Sequence, residues 1–269
     1  MHTRHVVIRA ILTAIIAALC AAPLFAQANG APPFTRKLST DRPNRTENPY
    51  TVEPGHLQIE ADLVNWSRDR ERAVVSETWS IIPTNVRFGL TKRTDIQFIA
   101  EPFTGTRIRN TGGVSSSSGI GTLTTRLKIN VWGNDGGRSA FGVISFVTAT
   151  PSAPSGAYEG GIALPLDLAV SHGWDLGAMV KADAVAPEGS TRYQGVLATS
   201  LCASHGITTR TAFYSEIYRE ESPRQLVSTF DAGITFGLRP NVQFDIGVNV
   251  GLSRASVGVN PVTGFSARF

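Results

Sequence analysis

Beyond its first 28 residues this chain carries three histidines, His56, His172 and His205, and a single cysteine, Cys202. Charged side chains recur at alternating positions along it. These residue types could do chemistry, and their spacing decides which chemistry is open. A serine hydrolase needs a serine set beside a histidine that an acid orients, and no G-x-S-x-G elbow occurs. The histidines form no H-x-x-x-H pair for a metal and fall at expected strand ends, where solvated turns account for them. Glu220-Glu221, and Asp69 with Glu71, could hold a divalent cation on outer loops, but solvated loop charge explains them more simply. The sequence therefore predicts no catalytic residue, no metal site and no cofactor.

A different use remains for the charges. Glu60, Asp62, Asp95, Glu101, Asp175, Asp231 and Asp245 are acidic, and Arg126, Lys128 and Lys181 are basic. Each falls on the polar side of an alternating segment, so all ten are candidates to line an interior. If that interior is open to water, opposed acidic and basic walls set a transverse field that orients polar solutes. If it is filled, the same residues pair and brace the fold, because an unpaired buried charge is costly. An open or gated path is the preferred reading, and some pairing is expected in either case. Cys202 shares parity with Ser200 and Ser204 and reads as a small inward filler.

The elements that must position these residues are strands. Alternation of apolar and polar residues at period two marks a half-buried strand. Val242, Phe244, Ile246, Val248, Val250 and Leu252 alternate with Gln243, Asp245, Gly247, Asn249 and Gly251. The same dyad runs through Leu57–Leu63, Asp95–Glu101, Leu123–Val131, Trp174–Lys181 and Phe230–Phe236. Strands are predicted at 56–66, 77–90, 94–103, 119–133, 139–150, 158–171, 173–185, 192–205, 208–218, 225–238, 242–253 and 262–269. Many approach the ~9–11 residues that a tilted transmembrane strand needs. Short turns follow every second strand, as at Thr91-Lys92-Arg93 and Arg239-Pro240-Asn241. Longer polar segments follow the others, as at Ser67–Ser76 and Thr104–Ser118, where Ser115–Gly119 reads as flexible loop. That alternation is typical of outer-membrane barrels, and lipid allows a spanning sheet only if it closes on itself. The expected fold is all-β: an antiparallel transmembrane β-barrel of about a dozen strands over residues 56–269, with both ends on the periplasmic side.

The two ends fit this reading. Arg4 and Arg9 precede an uncharged run from Ala10 to Phe25, closed by small residues around Ala26 and Ala28. This is the pattern of a cleaved signal peptide over 1–28; the run is short for a spanning helix, which needs ~20 residues. The chain stops at Phe269, and a terminal Phe after an alternating strand is the expected signal for the barrel-assembly machinery. The net charge of +4 includes Arg4 and Arg9, and no basic tract with interleaved aromatics supports nucleic-acid binding. One cysteine beyond the signal excludes an internal disulfide.

Residues 29–55 differ from the rest. Pro32, Pro33, Pro43, Pro49 and Pro54 prevent regular pairing. The segment reads as a flexible periplasmic leader or, alternatively, as a lumen plug.

Several stretches together resemble an outer-membrane family named for the MetA pathway of phenol degradation. They are Thr40-Asp41-Arg42-Pro43, Thr46-Glu47-Asn48-Pro49-Tyr50 through Gly55-His56-Leu57-Gln58, and Arg126-Leu127-Lys128 with Trp132-Gly133-Asn134-Asp135-Gly136-Gly137. Glu159-Gly160-Gly161, Leu164-Pro165-Leu166, Gly173-Trp174, Asp231-Ala232-Gly233 and Gln243–Asn249 complete the pattern. The resemblance implies an outer-membrane protein that moves small, including aromatic, compounds, and it carries over no catalytic set. Expected partners are outer-membrane lipid and lipopolysaccharide, the barrel-assembly machinery and a small-molecule solute. A structural or adhesive barrel with a plugged lumen is the alternative, and a lipid-modifying enzyme is the third reading.

Overall fold

The computed structural model describes residues 34–71, 74–151, 158–186 and 192–269. The expected signal peptide, residues 1–28, lies outside the described residues. Fifteen strand segments run from β1 (Leu57–Glu71) through β2 (Val74–Ile81), β3 (Thr84–Thr91), β4 (Thr94–Ala100), β5 (Phe103–Asn110), β6 (Gly113–Gly119) and β7 (Leu123–Trp132). They continue with β8 (Ser139–Ala149), β9 (Tyr158–Ala169), β10 (Trp174–Val185) and β11 (Gln194–Gly206). The last four are β12 (Thr211–Glu221), β13 (Leu226–Arg239), β14 (Val242–Gly251) and β15 (Val259–Arg268). All pairs are antiparallel, and β15 pairs with β1 to close the ring. Three staves are interrupted: β2 with β3, β4 with β5, and β6 with β7. The fold is therefore a closed barrel of 12 strands.

The interruptions have local causes. Pro83 and Pro102 offer no N–H to a ladder, and Ile82 before Pro83 takes a positive φ of 52°. At the third break Gly121 and Thr122 bond instead to Glu101: Gly121 N to its carbonyl at 2.9 Å and Thr122 N to its carboxylate at 3.1 Å. Below these breaks β1 pairs with β3, from Leu57↔Phe88 to Ala61↔Thr84. Above them it pairs with β2, from Val64↔Ile81 to Glu71↔Val74.

Two expected loops are corrected. Ser67–Ser76 is mostly strand, because β1 and β2 extend as a hairpin. Thr104–Ser118 is the hairpin β5–β6, in which Ser115–Gly119 lies within a strand rather than a flexible loop. A bulge between Asp62 and Val64 explains the first miss. It shifts parity, so the alternation read from residue 57 fails to continue although the strand does. The strand expected at 208–218 lies at Thr211–Glu221, since Ile207 N and Thr208 N both bond to Thr211 O and form a turn first. The last strand starts at Val259 rather than 262.

Outward positions of the strands are apolar and exposed: Phe98, Leu127, Ile162, Leu201, Ile217, Ile246 and Phe244 among them. The buried positions are unusually polar. Arg87, Asp95, Gln97, Lys128, Asp231 and Ser266 are completely buried, an inversion of the soluble pattern that suits lipid outside. Phe269 completes the closure, its N–H donating to Leu57 O at 2.8 Å and its O accepting from Leu57 N at 3.0 Å.

Candidate functional site: the charged lumen

The interior is built from strand positions of one parity. Register carries it around the ring: Lys128 lies beside Asp95 and Ile144, Ser200 beside Met179 and Tyr218, Asp231 beside Glu216, and Gln58 beside Arg87. Residues 34–56 run inside this ring, at its short-turn end, and bond to inward residues of strands on opposite sides.

Asp41 and Arg42 sit at the middle of these contacts. Asp41 bridges Lys128 Nζ at 2.5 Å and Arg87 Nη1 at 3.1 Å. Arg87 also contacts Glu60 at 2.9 Å and Asp95 at 3.0 Å, and donates to Tyr50 O at 2.8 Å. Glu60 in turn accepts from the backbone N–H of Asp41 at 2.9 Å and of Arg42 at 3.2 Å. The Arg42 guanidinium joins Asp62 on β1 to Asp245 on β14, the latter at 2.7 Å. Gly264 lies between them on β15, where a Cβ would come within 2.3 Å of the Arg42 guanidinium. Burial works to raise the Asp41 pKa, but the positive charges of Arg87, Lys128 and Arg126 outweigh it and hold the carboxyl well below its usual range.

The segment then crosses to the far wall. Glu216 on β12 accepts from Arg45 N at 2.8 Å and Thr46 N at 2.6 Å, and from the Thr46 hydroxyl. Thr46 also reaches Ser200 at 2.7 Å, and Arg45 Nε lies 3.8 Å from Asp231. Glu47 returns to Arg126 on β7 at 2.5 Å. Pro49 O accepts from Asn130 at 2.9 Å, Thr51 N donates to Asn134 at 2.9 Å, and Val52 N donates to Asp95 at 2.9 Å. Gly142 faces Pro49, with room for a Cβ only 3.1 Å from the proline Cα.

At the rim Glu53 accepts from Thr35 N at 2.8 Å and pairs with Arg268 at 3.2 Å. Its burial favours the neutral acid, yet the Thr35 hydroxyl and backbone, with the Arg268 charge, hold its pKa below the usual carboxylate value. Arg268 also lies over the Phe34 ring at 4.4 Å. Beside this anchored stretch is a cavity of about 690 Å³, bounded by Leu38 and by the turn ends of β11 to β14, including Thr208, Thr211, Thr235 and Gln243.

The ten candidate lining residues separate into groups. Glu60, Asp62, Asp95, Lys128 and Asp245 are drawn together through Asp41, Arg42 and Arg87. Arg126 and Asp231 are each met by the 34–56 segment. Lys181 stands apart, pairing with Asp183 at 2.8 Å with its Nζ 4.9 Å from the Phe146 ring centre. Glu101 is taken up by the strand interruption, and Asp175 is exposed at the turn end. Sequence reading missed Arg87, Glu216 and Arg268 on the wall and Asp41, Arg42, Arg45, Glu47 and Glu53 in the segment. The signal available was an excess of acids over bases among the wall candidates, which needed cations from elsewhere.

The histidines do no visible chemistry. His56 is buried against Phe34 with ring centres 4.8 Å apart, and its Nδ1 lies 3.1 Å from Phe269 O. His205 packs on Trp174 at 4.9 Å, and His172 sits in a turn with positive φ. Cys202 is buried beside Gly177 and Glu216. Among the described residues no group of three or more His, Cys, Asp or Glu side chains could hold a metal ion.

Known structures share this architecture. An outer-membrane channel from Pseudomonas putida F1 superposes with a TM-score of 0.58 at 12% identity, covering 82% of this chain and 98% of that one. The NanC porin superposes with a TM-score of 0.50 at 8% identity, covering 78% and 98%. At such identities the likeness establishes the fold alone. No curated protein sequence matches the chain. Residues 40–269 match the profile of one family, a span that takes in both the interior segment from Thr40 and the whole barrel. The chain belongs to the family described as "Putative MetA-pathway of phenol degradation".

Proposed function

We propose that this protein is an outer-membrane channel for small solutes, with residues 34–56 acting as a plug that narrows the turn-end half of its lumen. The observation that carries the reading is the closed barrel whose inward face is polar and charged, when a structural barrel of this size needs only to fill its centre. The family description ties the chain to phenol degradation, and a structural relative is itself an outer-membrane channel. The family description favours small aromatic compounds as the solute class. Passage runs beside the plug, past Lys181, Arg126 and Asp175, to the mouth between Leu38 and the β11–β14 turns. A transverse field of the kind those residues set orients dipolar solutes without binding them tightly. Export through residues 1–28, insertion signalled by Phe269, and lipid and lipopolysaccharide contact complete the proposal.

The second reading, a structural barrel closed by the same plug, is favoured by the density of ion pairs around Asp41 and Arg42. Liposome swelling separates the two. Purified protein is compared with a variant lacking 34–55, using sugars of graded size and phenol. The channel reading expects flux of the smallest solutes through the full chain and a raised size limit in the deletion. A silent full chain with a conducting deletion favours the structural barrel. Silence of both, in vesicles where the barrel is inserted, overturns the channel.

A further inference from the structure

The outer face of the β1–β2–β5–β6 sheet, above the strand interruptions, changes character row by row. Register places Ile81 and Phe103 in one outward row, and Trp66, Trp79, Gly105 and Ser118 in the next. Arg68, Glu77, Arg107 and Ser116 follow, and then Arg70, Val75, Arg109 and Val114. Parity after the Asp62–Val64 bulge fixes the facing. Asn65 points inward, where its side chain meets Asn260 at 2.7 Å, so Trp66, Arg68 and Arg70 point out.

The tryptophan row marks where lipid ends. Indoles gather at the membrane interface, and the Trp79 ring lies flat across Gly105, whose Cβ would fall 2.5 Å from it. From Leu57 at the turn end to Trp66 is about 23 Å along the barrel axis, taking ~3.3 Å per residue and a tilt of ~40°. That matches the ~25 Å apolar band of such barrels. Trp132 and Trp174, exposed near the turn end, mark the other boundary. The arginine rows therefore lie just beyond the apolar band, on the long-loop side.

Arg68, Arg70, Arg107 and Arg109 are all exposed. The one carboxylate in their two rows is Glu77, which Arg109 contacts at 3.3 Å. Four guanidinium groups against one carboxylate leave an excess of three positive charges. The four Cα positions span about 10 Å across strands and about 7 Å along them. On the opposite side of the barrel Arg219 is balanced by Glu221 at 3.1 Å. A surplus of forked cations on a lipid-facing wall, just past the tryptophans, suits phosphate that arrives at headgroup depth.

We propose that Arg68, Arg70, Arg107 and Arg109 form a binding site for the phosphorylated headgroup of an outer-leaflet glycolipid, a diphosphoryl glucosamine disaccharide of the lipid A type. This rests on the outer-membrane placement proposed above and is independent of whether solute passes.

The test uses the full chain refolded into phosphatidylethanolamine vesicles, alone or doped with diphosphoryl lipid A, with its dephosphorylated form, or with phosphatidylglycerol. A heat-resistant compact band on a gel first establishes insertion. Its absence in every vesicle sinks the membrane placement rather than the site. With insertion shown, lipid A retained after detergent exchange is read by mass spectrometry. The wild type is expected to retain diphosphoryl lipid A about tenfold better than the variant with all four arginines changed to Gln, given the strength of charged hydrogen bonds. Glu77→Gln, which removes the counter-charge, is expected to raise retention. A double change at the balanced pair, Arg219→Gln with Glu221→Gln, is expected to leave it unchanged. Equal retention by the wild type and the four-arginine variant overturns the site. So does equal retention of the phosphorylated and dephosphorylated forms, or a preference for phosphatidylglycerol.

Discussion

The two halves of the barrel solve the problem of polar residues differently. At the turn end the interior is charged and the outside is apolar: Glu60, Asp62, Arg87, Asp95 and Lys128 meet Asp41 and Arg42 in the lumen. At the loop end of the same β1–β2–β5–β6 sheet most inward residues are neutral, Asp69 being an exception. Thr78 meets Thr106 at 3.3 Å and Ser80 meets Thr104 at 3.4 Å, while the arginines have moved outside. One strand, β1, carries both arrangements, with the bulge after Asp62 between them. Charge inside a barrel is stable where a chain segment brings opposite charge to it. On this sheet, where no segment reaches, hydroxyls that satisfy one another fill most inward positions, and most of the charge is placed on the outside.

The largest effect is expected where the charged half depends on one residue. Arg87 is completely buried and holds Glu60, Asp95 and Asp41 together. Arg87→Ala leaves three carboxylates facing one another, and breaking a buried pair in this way costs about 3–5 kcal/mol. The midpoint of the heat-induced gel shift should fall sharply, and protease should cut within 34–56. Arg87→Lys should rescue only part of this, because an ammonium lacks the fork that reaches two partners at once. An unchanged midpoint in Arg87→Ala would mean that the turn-end charges are solvated, and the contrast between the halves would collapse.

Acid should act next, on the same half alone. Asp41 and Glu53 both have pKa values below the usual carboxylate range in the docked segment. A depressed folded pKa gives a contribution that is complete above the undocked value, about 4, and is lost as pH falls through the docked value. The protection these two carboxylates give 34–56 should therefore weaken, and protease cutting rise, as the pH falls below about 4. Cutting of 34–56 that slows as the pH falls from about 5 to about 2 would contradict the sign.

The barrel was legible because lipid imposes a strict period. Val242–Leu252 could be read as an outward and an inward face residue by residue, and the turn lengths supplied the handedness of the ends. The extended hairpins were not legible. Past the Asp62 bulge apolar residues no longer hold one parity, and Ser67–Ser76 and Thr104–Ser118 look like loops in composition while pairing as strands. Of the interior, Asp245 and Glu60 were readable as inward from alternation alone. Their partner Arg42 was not, since it sits 203 residues from Asp245 in a proline-rich segment with no period. Arg87 was missed because it lies between two breaks, in a segment too short for its parity to stand out.

The smallest expected effects sharpen the comparison most, because each changes only one or two heavy atoms on an inward face, one in each half. Gly142→Ala places a Cβ 3.1 Å from Pro49 Cα and 3.2 Å from Ile129 O, so the 34–56 segment must shift slightly. Overpacking of that kind costs about 1 kcal/mol. Thr78→Ala at the loop end removes one long hydroxyl contact in a hydroxyl-lined interior and should stay within about 0.5 kcal/mol. The readout that separates them is protease cutting of the segment rather than barrel stability. Gly142→Ala should speed it while the gel-shift midpoint barely moves, and Thr78→Ala should alter neither. If both variants speed cutting equally, the segment is coupled to the whole wall and not to the turn-end half, and the division drawn between the halves fails at its finest scale.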